Sequence, residues 1–145
     1  MNKHLTLFDN HSDYKEYIIG DVEYVDLGLP SGTLWTKCNI GANTETDEGL
    51  WFAWGETTGY TTEQIGVDRN FESSEYSINK YNNKDHLLTL KYEDDAAYNI
   101  LGSAWTIPSC EHFMELFDRD NTTITYENDY NSSGVSGFLI TSKVN

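Results

Sequence analysis

Basic residues are scarce in this chain. Nine Lys and Arg stand against 24 Asp and Glu, a formal net charge of −15 at pH 7. They are scattered singly from Lys3 to Lys143, so no stretch can neutralise a phosphate backbone, which excludes nucleic acid as a partner. Acidity of this kind serves solubility and mutual repulsion between crowded particles. Cysteine is nearly absent as well. Cys38 and Cys110 are far apart and lack metal spacing; they read as buried free thiols, with a disulfide as the alternative. Long apolar runs are missing too. The opening MNKHLTLFDNHSDYKEYIIG holds no apolar segment of signal-peptide length, and no later stretch approaches a membrane span. The expectation is a protein that starts in the cytoplasm and does not insert into a membrane.

Catalytic and metal-binding spacings are equally sparse. His4, His11, His86 and His112 form neither H-x-x-x-H nor H-E-x-x-H, the arrangements that put two imidazoles on one helix face around zinc. They read as surface or satisfied core histidines. Gly134-Val135-Ser136-Gly137 lacks the spacing of a nucleophile elbow, and neither phosphate-cradling glycine motif occurs. Glu93-Asp94-Asp95 is the densest carboxylate cluster. A hard cation needs several oxygens to converge at about 2.3 to 2.6 Å, yet successive side chains diverge and the EF-hand spacing is absent. The cluster therefore reads as a solvated helix start or cap. No catalytic residue, metal or cofactor is expected.

What the chain has is aromatic surface: 14% of its 145 residues are Phe, Trp or Tyr. Each buried ring removes a large apolar area from water, so a core can be built from few of them. HLTLF alternates like a short strand, and DNHSDYKEYI follows with Asn10 or Ser12 as cap and Tyr14, Tyr17 and Ile18 at helical spacing. Residues 1–20 thus read as a strand-helix arm or adaptor ahead of a main domain, 21–145. From Val22 the pattern changes to short strands split by turns: VEYVDLG, a turn at Leu29-Pro30-Ser31-Gly32, TLWTKCNIG, a polar loop, then LWFAWGE. Residues 56–85 are too long for an ordinary connection and read as a long loop, either functional or mobile. Ser109 is the expected N-cap of a helix from about Cys110 to Asp118, with Phe113, Leu116 and Phe117 as its apolar stripe. GFLITSKV reads as a last strand.

YVDLGLPSGTLWTKCNIGA, then GLWFAWGET, then LTLKYEDDAAYNILGSAWTIPS with a following MEL, resembles the Fibrobacter succinogenes major paralogous domain, a module abundant in Bacteroidetes and their phages. The resemblance covers residues 24 to about 117 and rests on the order and spacing of several motifs. Leu34 and Trp35 close an L-x-S-G-x-x-W strand, and Asn39 and Gly41 belong to an N-x-G-A turn. Trp51, Phe52, Trp54, Gly55 and Glu56 carry the aromatic strand and its turn. Asp95 and Ala96 open a D-A-A helix, and Trp105, Pro108 and Ser109 form a strand-to-helix junction. That family is in turn similar to C-type-lectin-like folds. The resemblance implies an α+β, C-type-lectin-like mixed fold, β-rich with one or two short helices, in which Leu34, Trp35, Trp51, Phe52, Trp54 and Trp105 are packing residues. GLWFAWGET is accordingly expected to be a core strand and turn, with Trp54→Ala costing about 3 to 5 kcal/mol.

The chain departs from that pattern in places. Thr106 stands where the family has arginine, and His112-Phe113 where it has Glu-Trp, so roles of those residues are not carried over. The family continues beyond the GFLI strand with further strands; the chain ending at Asn145 gives the expectation of a domain that is either truncated at its C-terminus or has the missing edges of its last strand supplied by another copy or a partner. The arm looks like N-terminal segments of virion proteins of Bacteroidetes phages. Three functions follow. The first is a non-enzymatic virion surface protein, a head or tail fibre or decoration module. Its residues 1–20 would dock to other virion proteins, its lectin-like domain would meet a host-surface glycan or protein, and its copies would form a homo-oligomer, trimer favoured. The second is a Bacteroidetes cell-surface or secreted binding module. The third, an enzyme of the formylglycine-generating type, is weakest, because neither Cys38 nor Cys110 lies near the C-terminus as its paired cysteines would.

Overall fold

The computed structural model describes residues 7–8, 17–19, 21–68, 80–81 and 83–144. Along the chain run β1 (Leu7–Phe8), β2 (Tyr17–Ile19), β3 (Val22–Val25), β4 (Trp35–Thr36), α1 (Thr62–Asp68), a 3₁₀ turn (Tyr92–Asp94), α2 (Ala96–Leu101), α3 (Cys110–Leu116), β5 (Thr122–Glu127), a second 3₁₀ turn (Tyr130–Ser132) and β6 (Gly137–Ser142). The fold is a small, mixed α+β one with few helices and short, mostly antiparallel strands. Two compact units divide it: Met1–Gly49 with Pro108–Asn145, and Leu50–Ile107.

The first unit holds two three-stranded sheets, β2-β3-β4 and β1-β6-β5. In the first sheet all pairing is antiparallel, with Val25 opposite Trp35. In the second, β5 and β6 pair antiparallel over six rungs, and β1 lies parallel to β6 at Leu7↔Phe138 and Phe8↔Leu139. The core is Leu27, Leu29, Trp35, Leu116 and Ile140, with Val25 and Phe113 packed against it. After β3 the chain leaves the extended path at Gly28, whose φ is +64 and whose N–H donates to Asp26 Oδ1 at 2.9 Å, and Leu27 and Leu29 on either side of it are both buried. The predicted turn follows: Gly32 N–H donates to the Leu29 carbonyl at 2.8 Å, with Pro30 holding its second position. The Trp35 and Phe113 rings lie 5.4 Å apart and tilted. The Trp35 indole N–H is buried and has no acceptor among the described residues, a cost that the burial of its ring offsets.

Helix α3 begins where the sequence predicts. The Ser109 hydroxyl accepts from His112 N–H, and His112 Nδ1 accepts in return from Ser109 N–H. This is a reciprocal capping box, with histidine in the position that glutamate commonly holds. One turn beyond the helix, the buried Thr122 hydroxyl donates to the Leu116 carbonyl at 2.6 Å, and so ties the end of α3 to the start of β5. The Ser142 hydroxyl donates to the Leu27 carbonyl at 2.7 Å, which fastens β6 to the core segment.

Several expectations are corrected here. Tyr17 and Ile18 do not belong to a helix. They lie in β2, opposite Tyr24 and Glu23, because a pairing partner on β3 outweighs weak helical periodicity. The described parts of residues 1–20 are thus strands of this unit; the expected arm residues 1–6, 9–16 and 20, with the caps Asn10 and Ser12, lie outside the described residues. β6 is not an open edge either, since it lies between β1 and β5. Cys38 is half-buried and Cys110 exposed, both as free thiols, so only the first resembles the buried thiol expected. Burial, followed by the nearby Glu45, pushes the Cys38 thiol up from its ordinary value.

In the second unit GLWFAWGET is not a strand. Trp51 makes an isolated antiparallel bridge with Tyr60, closed by two backbone hydrogen bonds of 2.8 and 2.9 Å. The chain then turns, Glu56 N–H donating to the Ala53 carbonyl, with Gly55 at φ +81. Trp54 and Gly55 are the two central residues of this turn, so the chain leaves the extended path at Trp54 and does not keep the period of two that would send Trp54 inward with Phe52. Trp51 and Phe52 are half-buried, and Trp54 is 54% exposed. The long loop also contains structure. Thr61 and Gln64 form a reciprocal cap at the start of α1: Thr61 N–H to Gln64 Oε1 at 2.8 Å, and Gln64 N–H to Thr61 Oγ1 at 3.3 Å.

Leu116 is fully buried, so Leu116→Ala removes core contacts and leaves a cavity, at an expected cost of about 2 to 5 kcal/mol in urea denaturation. Trp54→Ala is expected to stay within about 1 kcal/mol of the parent. Equal losses in the two variants would contradict this division.

Candidate functional site

Within the second unit, three segments converge around Tyr81. The turn carrying Trp54 and Gly55 lies against its ring, with Trp54 and Tyr81 edge to face, centroids 6.3 Å apart. A Cβ built on Gly55 would meet Tyr81 Cε2 at 3.4 Å, so glycine here serves both the left-handed turn and close approach to the ring. The second segment is Tyr81 itself, at φ +61, with its N–H donating to Asp85 Oδ2 at 2.6 Å. The third is the 3₁₀ turn, which presents Asp94.

The polar half of the cluster is well satisfied. Tyr81 OH donates to Asp94 Oδ2 at 2.6 Å and accepts from Lys91 N–H at 2.9 Å. Lys80 Nζ donates to both Asp94 oxygens at 3.0 Å and lies 3.9 Å from Glu93. The Tyr81 hydroxyl and then Lys80 hold the Asp94 carboxyl below its ordinary value of 3.8. Desolvation and then the bond to Asp94 push the Tyr81 hydroxyl above 10.0, and the Asp94 bond raises Lys80. Chemically, this is an exposed indole edge on a short turn, braced from behind by a tyrosine whose hydroxyl is locked to an ion pair. A ring held this way loses little freedom when something stacks on it.

Asp95, next in the chain, has a different role. It is 2% exposed and caps α2, accepting from Tyr98 N–H at 3.0 Å. It also accepts from Thr106 Oγ1 at 2.6 Å and from Ile107 N–H at 3.2 and 3.0 Å. Thr106 is thus a donor to the buried carboxylate. The cap reading of the acidic cluster holds for Asp95. Among the described residues no group of three or more His, Cys, Asp and Glu is placed to hold a metal ion.

The remaining predicted residues divide between the units. In the first, Leu34 is half-buried and Trp35 is core. Asn39 closes a turn with its carbonyl accepting from Ala42 N–H and its side chain donating to the Glu48 carbonyl. Gly41 sits in that turn at φ +81, and Pro108 precedes the Ser109 cap. In the second, Ala96 and Trp105 are buried, and Glu56 closes the Trp54 turn. Lys80, Tyr81 and the role of Asp94 were not anticipated. No spacing links positions 54, 81 and 94, and only the fold brings them together. No protein-family model, no curated protein and no solved structure matches this chain. Nor is any helix of the described residues long and apolar enough to cross a membrane.

The brace predicts a pH response. Asp94 has a depressed folded value, so its contribution is complete above the ordinary 3.8 and is lost as pH falls through the depressed value. Asp94→Asn should therefore flatten the acid limb of the unfolding profile and lower the Tyr81 hydroxyl part of the way toward 10.0. Ultraviolet difference titration against Tyr81→Phe reads the second effect; an unshifted Tyr81 in Asp94→Asn would refute the coupling.

Proposed function

We propose that this chain is a non-enzymatic surface protein of a bacteriophage particle, a C-type-lectin-like module related to the Fibrobacter succinogenes major paralogous domain, which contacts the host surface through the Trp54 turn. The observation that carries the reading is the exposed indole of Trp54 held against Tyr81. Large aromatic side chains with few rotatable bonds are the usual anchors of recognition surfaces. An exposed tryptophan forgoes the stabilisation that burial of its ring would give, whereas Trp35 and Trp105 in the same chain are buried. The net charge of −15 fits a partner without strong negative charge, such as a neutral glycan or a protein patch, and disfavours nucleic acid.

The test has two arms. Gold-labelled antibody against the chain is expected to decorate intact virions; labelling confined to the bacterial envelope would favour the cell-surface module instead. Labelled protein is expected to bind host cells, and Trp54→Ala to reduce that binding at least about tenfold, as the loss of an aromatic anchor does, without changing the unfolding midpoint. Full binding by Trp54→Ala would remove the turn from the contact surface.

A further inference from the structure

The strand β5 lies at the edge of its sheet. It has β6 on one side and, among the described residues, no strand on the other. Proteins commonly guard such an edge with a proline, a lysine, a bulge or a very short strand. β5 has none of these. It runs Thr-Thr-Ile-Thr-Tyr-Glu without proline or a basic residue, and its six rungs with β6, from Thr122↔Ser142 to Glu127↔Gly137, are continuous. Residues 123–126 are all exposed.

The edge also carries apolar surface. Ile124 and Tyr126 face the same side as their β6 partners Ile140 and Phe138. Ile140 is buried in the core, and the Tyr126 ring meets Phe138 at 5.3 Å. The core-facing stripe therefore runs outward across β6 and ends in water, with Ile124 38% and Tyr126 51% exposed.

We propose that the outer edge of β5 pairs antiparallel with β5 of a second copy of this chain, about a two-fold axis at Thr125. Directly opposed residues on neighbouring strands point to the same face, so the paired residue numbers must both be odd or both even. An axis at Thr125 satisfies this, and sets each Ile124 against Tyr126 of the partner copy, an aromatic with a β-branched residue on the exposed apolar face. An axis at Ile124 would instead set Tyr126 against Thr122, which is already buried and bonded to Leu116. Charge is compatible with this register. Residues 121–126 carry no charge in a chain of net −15, and Glu127 falls opposite Thr123 rather than another carboxylate. The joined edges form one six-stranded sheet, and an isologous contact of this kind closes at two copies. The expected homo-oligomer rested on β6 as the open edge and its preference for a trimer on the three-fold assemblies of phage fibres; with β6 between β1 and β5, the edge available is that of β5, and pairing there gives a dimer.

The full chain with Cys38→Ser and Cys110→Ser provides the test, with no ligand or particle present, so its outcome is independent of the proposed function. Light scattering over a concentration series is expected to give twice the chain mass at the high end. Ile124→Lys is expected to weaken association at least about tenfold by placing like charges on the paired face, while the circular dichroism spectrum stays unchanged. Added to the same background, Thr125→Cys is expected to cross-link to a disulfide dimer under mild oxidation, and Thr123→Cys, which faces Glu127 of the partner copy, to cross-link far less. The cross-linking comparison decides the matter even where Ile124→Lys fails to fold. A monomer at every concentration, a trimer, or equal cross-linking at both positions would overturn the proposal.

Discussion

The first unit depends on one set of apolar contacts, in which Leu116 of α3 meets Trp35 at the end of one sheet and Ile140 in the middle of the other. Both three-stranded sheets contribute to this one core, Trp35 from the first and Ile140 from the second. The polar ties follow the same path. Thr122 bonds the Leu116 carbonyl and Ser142 the Leu27 carbonyl, so backbone groups that the core would otherwise strand are satisfied from its own rim. The capping box at Ser109 sets where α3 starts, and with it where Leu116 falls.

The second unit is organised by two adjacent carboxylates with opposite environments. Asp95 is buried and takes up donors from α2 and from residues 106–107. Asp94 is at the rim, where Lys80 and Tyr81 hold it. One residue's difference in position separates a structural node from the support of a surface feature, the Trp54 turn. Other carboxylates such as Asp47, Asp85 and Glu115 also accept hydrogen bonds; Asp95 differs in being buried, and Asp94 in being held by a lysine and a tyrosine hydroxyl together.

Much of the local structure is legible in the residues. Ser109 announces its helix and Leu29-Pro30-Ser31-Gly32 its turn, because caps and turns act over a few residues. The cap at Thr61 was equally legible, as Thr-Thr-Glu-Gln, and was hidden only by the polar composition around it. The candidate site was not. Trp54 sits in a run of aromatics whose composition suggests a core, and nothing local reveals that the turn at Trp54 and Gly55 sets the ring outward against Tyr81.

What the sequence determined by itself was therefore the set of short-range elements, the acidic surface and a core built partly on rings. Tertiary structure alone decided that Tyr17–Ile19 would be a strand, that β6 would be interior and β5 an edge, and that positions 54, 81 and 94 would meet. The reason is the range of the forces involved. A cap or a turn is complete within four residues, whereas strand order and the burial of a ring depend on which distant segment arrives beside it, and that is a property of the whole fold's free energy.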